Sequence, residues 1–179
     1  MMQFIKKNWM AFLLAFVFPI VLIIWWWGGF SHATVTETES EPLYYAYTEY
    51  YGAYGNLGDT QQKVYTALTA QNIKPGKFIT ILYADPRTTK KHDQHARVGY
   101  LLPANTVVKQ PLLTDTLPRR RVLRASAQAS LMLAPSIAYQ GLHDYLKPLG
   151  KDIQMPSVEI YTAGSTINEM GILTVDIPY

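Results

Sequence analysis

The chain opens on an unbroken hydrophobic stretch, passes through a short polar one, and then settles into regular alternation. From Asn8 to Phe30 no residue is charged, and Met10–Trp27 reads MAFLLAFVFPIVLIIWWW. About 20 apolar residues rising roughly 1.5 Å each match the hydrocarbon core of a bilayer, about 30 Å thick. Pro19 lies inside the run, where membrane helices tolerate a lone proline. Trp25, Trp26 and Trp27 fall where an interfacial aromatic belt belongs. Residues 1–30 are therefore expected to form a single-pass anchor that meets the membrane through residues 9–30. The competing reading is a cleaved signal peptide, because Ser31-His32-Ala33 resembles a small-x-small cleavage site. The length of the run and three tryptophans so close to the cut favour the anchor. Lys6 and Lys7 precede the span, whereas Glu37, Glu39 and Glu41 follow it. By the positive-inside rule the N-terminus is cytoplasmic and the remainder lies on the periplasmic or extracellular side of the cytoplasmic membrane. Residues 31–42 (SHATVTETESEP) lack hydrophobic periodicity and read as a polar tether.

From residue 43 to 179 the pattern is that of one domain. Leu43–Tyr50 (LYYAYTEY) is a tyrosine-rich strand bounded by Pro42 and Gly52. Leu57–Asn72 carries Leu57, Val64, Ala67, Leu68 and Gln71 at helical spacing, with Asn56 or Asp59 to cap it and Pro75-Gly76 to stop it. Lys77–Tyr83 and Arg97–Leu102 are strands joined by a polar loop. The order then repeats. Arg119–Ser130 is a strand, Pro135 opens a helix with a stripe of Ala138, Leu142, Tyr145, Leu146 and Leu149, and Gly150 ends it. Ser157–Ala163 and Met170–Ile177 are strands joined by a loop containing Gly164 and Ser165. The predicted class is α+β: two βαββ units forming antiparallel sheets, both helices on one side and a groove on the other. Grooves between repeats are where ligands commonly bind.

Composition narrows the chemistry. With no cysteine, disulfides, thiolate metal sites and a cysteine nucleophile are excluded. A net charge of +3, with basic residues dispersed, gives a nucleic-acid partner little support. The Arg119-Arg120-Arg121 run reads as an exposed strand start, and His92 with His95 as residues of a solvated loop, so no metal and no cofactor are expected. Thirteen tyrosines against six phenylalanines favour a ligand-lined or half-wet surface beside the core.

Several short motifs then converge. The first strand leads into Tyr51-Gly52-Ala53-Tyr54, and Tyr83-Ala84-Asp85-Pro86 follows the second. Arg97-Val98-Gly99, Val158-Glu159-Ile160-Tyr161 and Thr174-Val175-Asp176-Ile177-Pro178 stand on the later strands. On these residues the region from Leu43 to Tyr179 resembles the GyrI-like (SHS2-repeat) small-molecule-binding domain, also the effector-binding module of some transcription regulators. Ala53 stands where that family usually has proline, which is expected to loosen the turn. No helix-turn-helix stands between the anchor and the domain, so the resemblance does not import transcription.

Alternation puts Glu159 and Tyr161 on one face of their strand and Val158 and Ile160 on the other. If the latter face the helices, Glu159 and Tyr161 face the groove, where the resemblance implies a ligand-contacting glutamate. A carboxylate among aromatic rings attracts lipophilic cations. Tyr47, Tyr54, Tyr83 and Tyr100 are the further candidate contacts, and the pattern leaves open which tyrosine face lines the groove. The expected function is capture of a small apolar or cationic molecule outside the cytoplasmic membrane. Two alternatives stand beside it: hydrolysis of strained electrophiles with Glu159 as base and Tyr161 as donor, and a protein-interaction module using the same groove.

Overall fold

The computed structural model of the protein describes residues 2–28, 30–85, 88–163 and 170–179. Pro86 and the loop residues Gly164 and Ser165 lie outside the described residues. In chain order the elements are α1 (Met2–Trp26), β1 (Thr34–Ser40), β2 (Leu43–Tyr51), α2 (Leu57–Ala70), β3 (Phe78–Leu82) and β4 (His95–Leu101). They continue with β5 (Leu113–Leu117), β6 (Arg120–Gln128), α3 (Ala134–Leu146), β7 (Ser157–Thr162) and β8 (Ile172–Pro178).

The duplicated pattern is real. Leu43, Leu57 and His95 open β2, α2 and β4; Arg120, Ala134 and Ile172 open β6, α3 and β8, each 77 residues later. The eight strands form one sheet in the order β1-β6-β8-β7-β3-β4-β2-β5, so the halves meet where β3 pairs antiparallel with β7. Under each helix lies one core. Val64 and Leu68 of α2 pack with Ala46, Tyr100 and Leu102. Ala138, Leu142 and Leu146 of α3 pack with Leu123, Ala125, Leu173, Val175 and Ile177.

Residues 34–40 are not a tether. They form β1, which pairs with β6 from Thr34↔Ser126 to Ser40↔Arg120. Val35 and Ala33 pack against the α3 core, and a Cβ added at Gly141 would come within 2.7 Å of the Ala33 Cβ. The sequence reading gave weight to three glutamates and missed the β-branched alternation between them, which suits a half-solvated edge strand. Those glutamates have partners: Glu41 lies 3.1 Å and Glu39 3.6 Å from Arg119, and Glu37 lies 3.8 Å from Arg121. Arg119 and Arg121 of the arginine run thus face carboxylates of β1 and of the residue that follows it.

The groove also lies elsewhere than predicted. Ser40 pairs with Arg120 and Leu43 with Leu117, so one antiparallel register carries across the gap at residues 41–42 and 118–119. Pro42 faces Pro118 in that register; neither has an N–H to donate, and the ladder breaks there. The continuous ribbon ties β1 to β2 and β5 to β6 through two residues each, although β1 and β5 stand at opposite edges of the sheet. The sheet must curl for both links to close. Its helix-free face thereby buries Tyr45, Tyr47, Ile79, Ile81 and Val158 against one another, instead of standing open.

Ala53 does not loosen its turn. It holds φ −60° and ψ 125°, values that proline would impose, and its carbonyl accepts a hydrogen bond from the Tyr50 hydroxyl at 2.9 Å. Its N–H donates no hydrogen bond among the described residues. Ala53→Pro is expected to stabilise the chain by about 0.4–1 kcal/mol, through lost freedom in the unfolded state. Urea unfolding of the two proteins measures it; a destabilised variant would mean that the turn relaxes away from this geometry.

Candidate functional site

On the helix-bearing face, where the two halves meet, the structure encloses a cavity of about 310 Å³. Leu82 of β3 and Glu159 of β7 come from the seam itself, where the two strands pair. Tyr54 and Leu57 contribute from the turn into α2, and Pro135, Ser136 and Tyr139 from the first turns of α3. Asp85, Ile153 and Met155 complete the lining.

The side chains of Tyr54, Tyr139 and Glu159 are held by hydrogen bonds. The Tyr54 hydroxyl lies 2.8 Å from the His95 carbonyl and 3.1 Å from that of Ala84, and it accepts from the Ala84 N–H at 3.2 Å. The Tyr54 N–H donates to the Gln94 side chain at 3.1 Å, so the ring stands fixed as a wall. The Tyr139 hydroxyl donates to Glu159 Oε1 at 2.8 Å and lies 2.7 Å from Ser157 Oγ. A phenol has one proton, so the chain of donors runs Ser157 to Tyr139 to Glu159 when the carboxylate is ionised.

The electrostatics follow from that poverty of donors. Burial raises the Glu159 pKa above the ordinary carboxylate value, and the single hydrogen bond from Tyr139 offsets it only in part. Tyr139 titrates well above the usual phenol range, first because it is buried and then because of the neighbouring Glu159 charge. The residues present can therefore hold a compact apolar body and offer it the poorly solvated charge of Glu159, with the Asp85 carboxylate also in the lining. Among the described residues no cluster of histidine and carboxylate suits a metal ion.

Of the six candidates from the sequence, Glu159 and Tyr54 line this cavity and the other four do not. Val158 and Ile160 face the helix-free side, the reverse of the premise that led to Glu159, and Glu159 points to the helices because the cavity is there. Tyr161 shares its face but packs against the α3 core. Tyr100 sits under α2, its ring centroid 5.6 Å from Phe78 and 5.9 Å from Tyr65. Tyr47 and Tyr83 flank Arg97, whose guanidinium lies 4.5 Å and 5.6 Å from their ring centroids and is bound by Glu49 and Asp115. Their faces already carry a cation. His95 stacks between Tyr51 and Tyr83 and lies 2.6 Å from Glu49.

Tyr139 is the residue that sequence reasoning missed. It stands one position beyond Ala138, whose spacing to Leu142 and Leu146 defines the buried stripe of α3. A hydroxyl-bearing aromatic beside the stripe, in the first turns of the helix, was the available signal.

Comparison with known proteins bears on this architecture. No protein-family model matches the sequence, and no curated protein matches it. Solved structures do. The EcmrR C-terminal domain aligns with TM-score 0.63 at 10% identity, covering 82% of this chain and 96% of that one. In the EcmrR–DNA complex the match has TM-score 0.64 and spans 57% of the EcmrR chain. SAV2435 bound to tetraphenylphosphonium aligns with TM-score 0.56 at 13% identity, over 81% of this chain and 93% of that chain. A hydrolase from Listeria innocua aligns with TM-score 0.53 at 8% identity, over 80% and 91%. The fold is the one shared with the EcmrR C-terminal domain and SAV2435, in keeping with the resemblance to the GyrI-like domain. At such identities the likeness carries the architecture, and the ligand must be argued from this chain's own residues.

Because the folded pKa of Glu159 is raised, the folded state keeps a proton that the unfolded chain releases. Stability is thus lost as pH climbs from the ordinary carboxylate value through the folded one, and the loss is complete above it. Glu159→Gln removes this dependence. In urea unfolding across pH, the variant should gain on the parent as pH rises and then hold a constant lead. A difference that stays flat with pH would mean that the folded carboxyl is solvated as well as the unfolded one.

Proposed function

We propose that the protein is a membrane-anchored binding domain that takes up a small apolar cation in the cavity above Glu159. One observation carries the reading: a buried carboxylate with one side-chain donor among the described residues lies in a cavity walled mainly by aromatic and aliphatic groups, with Asp85 and Ser136 as its other polar lining. A cation entering there supplies the counter-charge that the fold withholds, and the Tyr54 ring offers a face for cation–π contact. The tetraphenylphosphonium held by SAV2435 has this chemistry.

The test is calorimetric titration of tetraphenylphosphonium, beside neutral triphenylphosphine oxide, onto the detergent-solubilised chain. Heat is the readout because all four tryptophans lie between Trp9 and Trp27. A charge contact of this kind contributes about 1.5–3 kcal/mol, so Glu159→Gln should weaken the cation by roughly tenfold to a hundredfold and spare the neutral compound. Parent affinity for the cation should rise with pH as Glu159 ionises, and the variant should lose that slope. Equal cation affinity in parent and variant would remove Glu159 from the site.

A second reading has one observation in its favour. Glu159 and Tyr139 are hydrogen-bonded, a base and a phenol of the kind that hydrolysis of a strained ring requires. The phenol proton, however, is directed at the carboxylate and not into the cavity. Turnover of an epoxide that disappears in Glu159→Gln would promote this reading.

The same proposal places the domain outside the cytoplasmic membrane. The helix α1 contains one span long and apolar enough to cross a bilayer, Trp9–Trp26, with a mean hydropathy of 2.4. An alkaline phosphatase fusion to the C-terminus of the full chain should be active. An inactive fusion that still fractionates with membranes would reverse the orientation.

A further inference from the structure

The end of α1 is built into the domain. Gly28 takes φ +77°, the left-handed conformation that stops a helix, and its N–H donates to the Trp25 carbonyl at 3.0 Å. A side chain there would meet the Ala129 backbone at 3.0 Å and the Met170 sulfur at 2.9 Å. The Ser130 N–H donates to the Trp27 carbonyl at 3.0 Å. The last turn of the anchor is thus fastened to the segment that leads into α3 and to the approach to β8.

That same end of the domain exposes apolar side chains. Leu131 is 52% exposed, Met132 81% and Ile172 43%, with Phe30 at 61% beside them. Ile172 pairs across the ladder with Gln128, two residues before Ser130. Tyr54, the counterpart of Leu131 by the 77-residue repeat, folds inward to wall the cavity, whereas Leu131 is left outside.

We propose that the surface of Leu131, Met132 and Ile172 seats in the interfacial layer of the membrane that α1 spans. This rests on the anchor reading above. The occupant follows from continuity: the Trp27 carbonyl, at the end of the tryptophan run placed for the interfacial belt, accepts from the N–H of Ser130, the residue before Leu131. Pro135 and Ser136, which line the cavity, follow Met132 by three and four residues. The α3 rim of the cavity is therefore held at the lipid surface, and the ligand class narrows to amphiphilic cations that concentrate in that layer.

The absence of cysteine makes the test direct. Met132→Cys, Ile172→Cys and Leu149→Cys are labelled separately with an environment-sensitive fluorophore in the full chain, reconstituted into phosphatidylcholine–phosphatidylglycerol vesicles. Leu149 is 51% exposed and lies beyond the far end of α3, about 20 Å away along the helix. Labels at 132 and 172 should shift to the blue and lose most of their emission to lipids that carry a shallow quencher, while the label at 149 stays bright. Bright labels at all three positions, or equal quenching of all three, would overturn the inference if the chain resists carbonate extraction. Extraction of the chain by carbonate would overturn the anchor reading as well.

Discussion

Pairing of β3 with β7 is the constraint on which the rest of the molecule depends. Each βαββ half is a short sheet with one helix, too small to bury both of its faces alone. Joining the halves through Phe78–Leu82 and Ser157–Thr162 makes one sheet and places two helices side by side on it. The first turns of those helices flank the seam, and the space between them is the cavity. A residue at the seam that faces the helices therefore lies in the cavity, and Glu159 is such a residue. Its neighbours on the strand, Val158 and Ile160, are turned by the same alternation into the opposite core.

The second link between the halves explains why that core is closed. The ribbon made of β1 running into β2 and β5 running into β6 keeps one register past Pro42 and Pro118. Without it the helix-free face would be an open, apolar sheet, and such patches invite association. With it, Tyr45 is fully buried, and its phenol is pushed up to about 12 by burial. Each half also carries an arginine–carboxylate pair between its first and last strands on that face. These are Arg97 with Glu49 and Arg124 with Asp176, the latter bidentate at 2.6 Å. Isolated surface pairs contribute little; these lie partly within the curl, where removal of one partner would strand the other.

How much was legible in the sequence can be judged from particular residues. The hydrophobic spacing of Val64, Leu68, Ala138, Leu142 and Leu146 located both helices and their buried stripes, because burial against a sheet enforces that period. The six strands of the two repeats were legible through β-branched and aromatic runs between turn residues. The strands β1 and β5 were not: TVTETES and LTDTL are edge strands whose side chains are mostly solvated, so hydrophobicity does not mark them. Glu159 was singled out by strand alternation and the family resemblance, but it was expected on the helix-free face and lies on the helix-bearing one. The face carrying the cavity was misjudged, because curling of the sheet is set by pairing between residues about 80 apart, which no local pattern reports. Tyr139 escaped for a related reason: its significance exists only once α3 is laid across β7.

A last step concerns why a carboxylate stands at the seam at all. The strands β3 and β7 stand 79 residues apart in register, so Glu159 corresponds to Thr80, its direct partner across the seam. The first half thus builds the same strand, under its own helix, with a buried but uncharged residue at that position. Nothing in the packing of β7 demands a charge. Glu159 is costly there, since burial opposes its ionised form and Tyr139 is its one side-chain donor among the described residues. A scaffold that holds threonine at the equivalent point of one half and a buried acid in the other is paying stability for something other than folding, and polar groups that break local rules tend to mark functional sites. A cation of matching size relieves that cost, whereas a neutral ligand leaves it in place. The stability deficit of the empty site and the affinity for the cation are therefore two measures of one quantity, the desolvation of the Glu159 carboxylate.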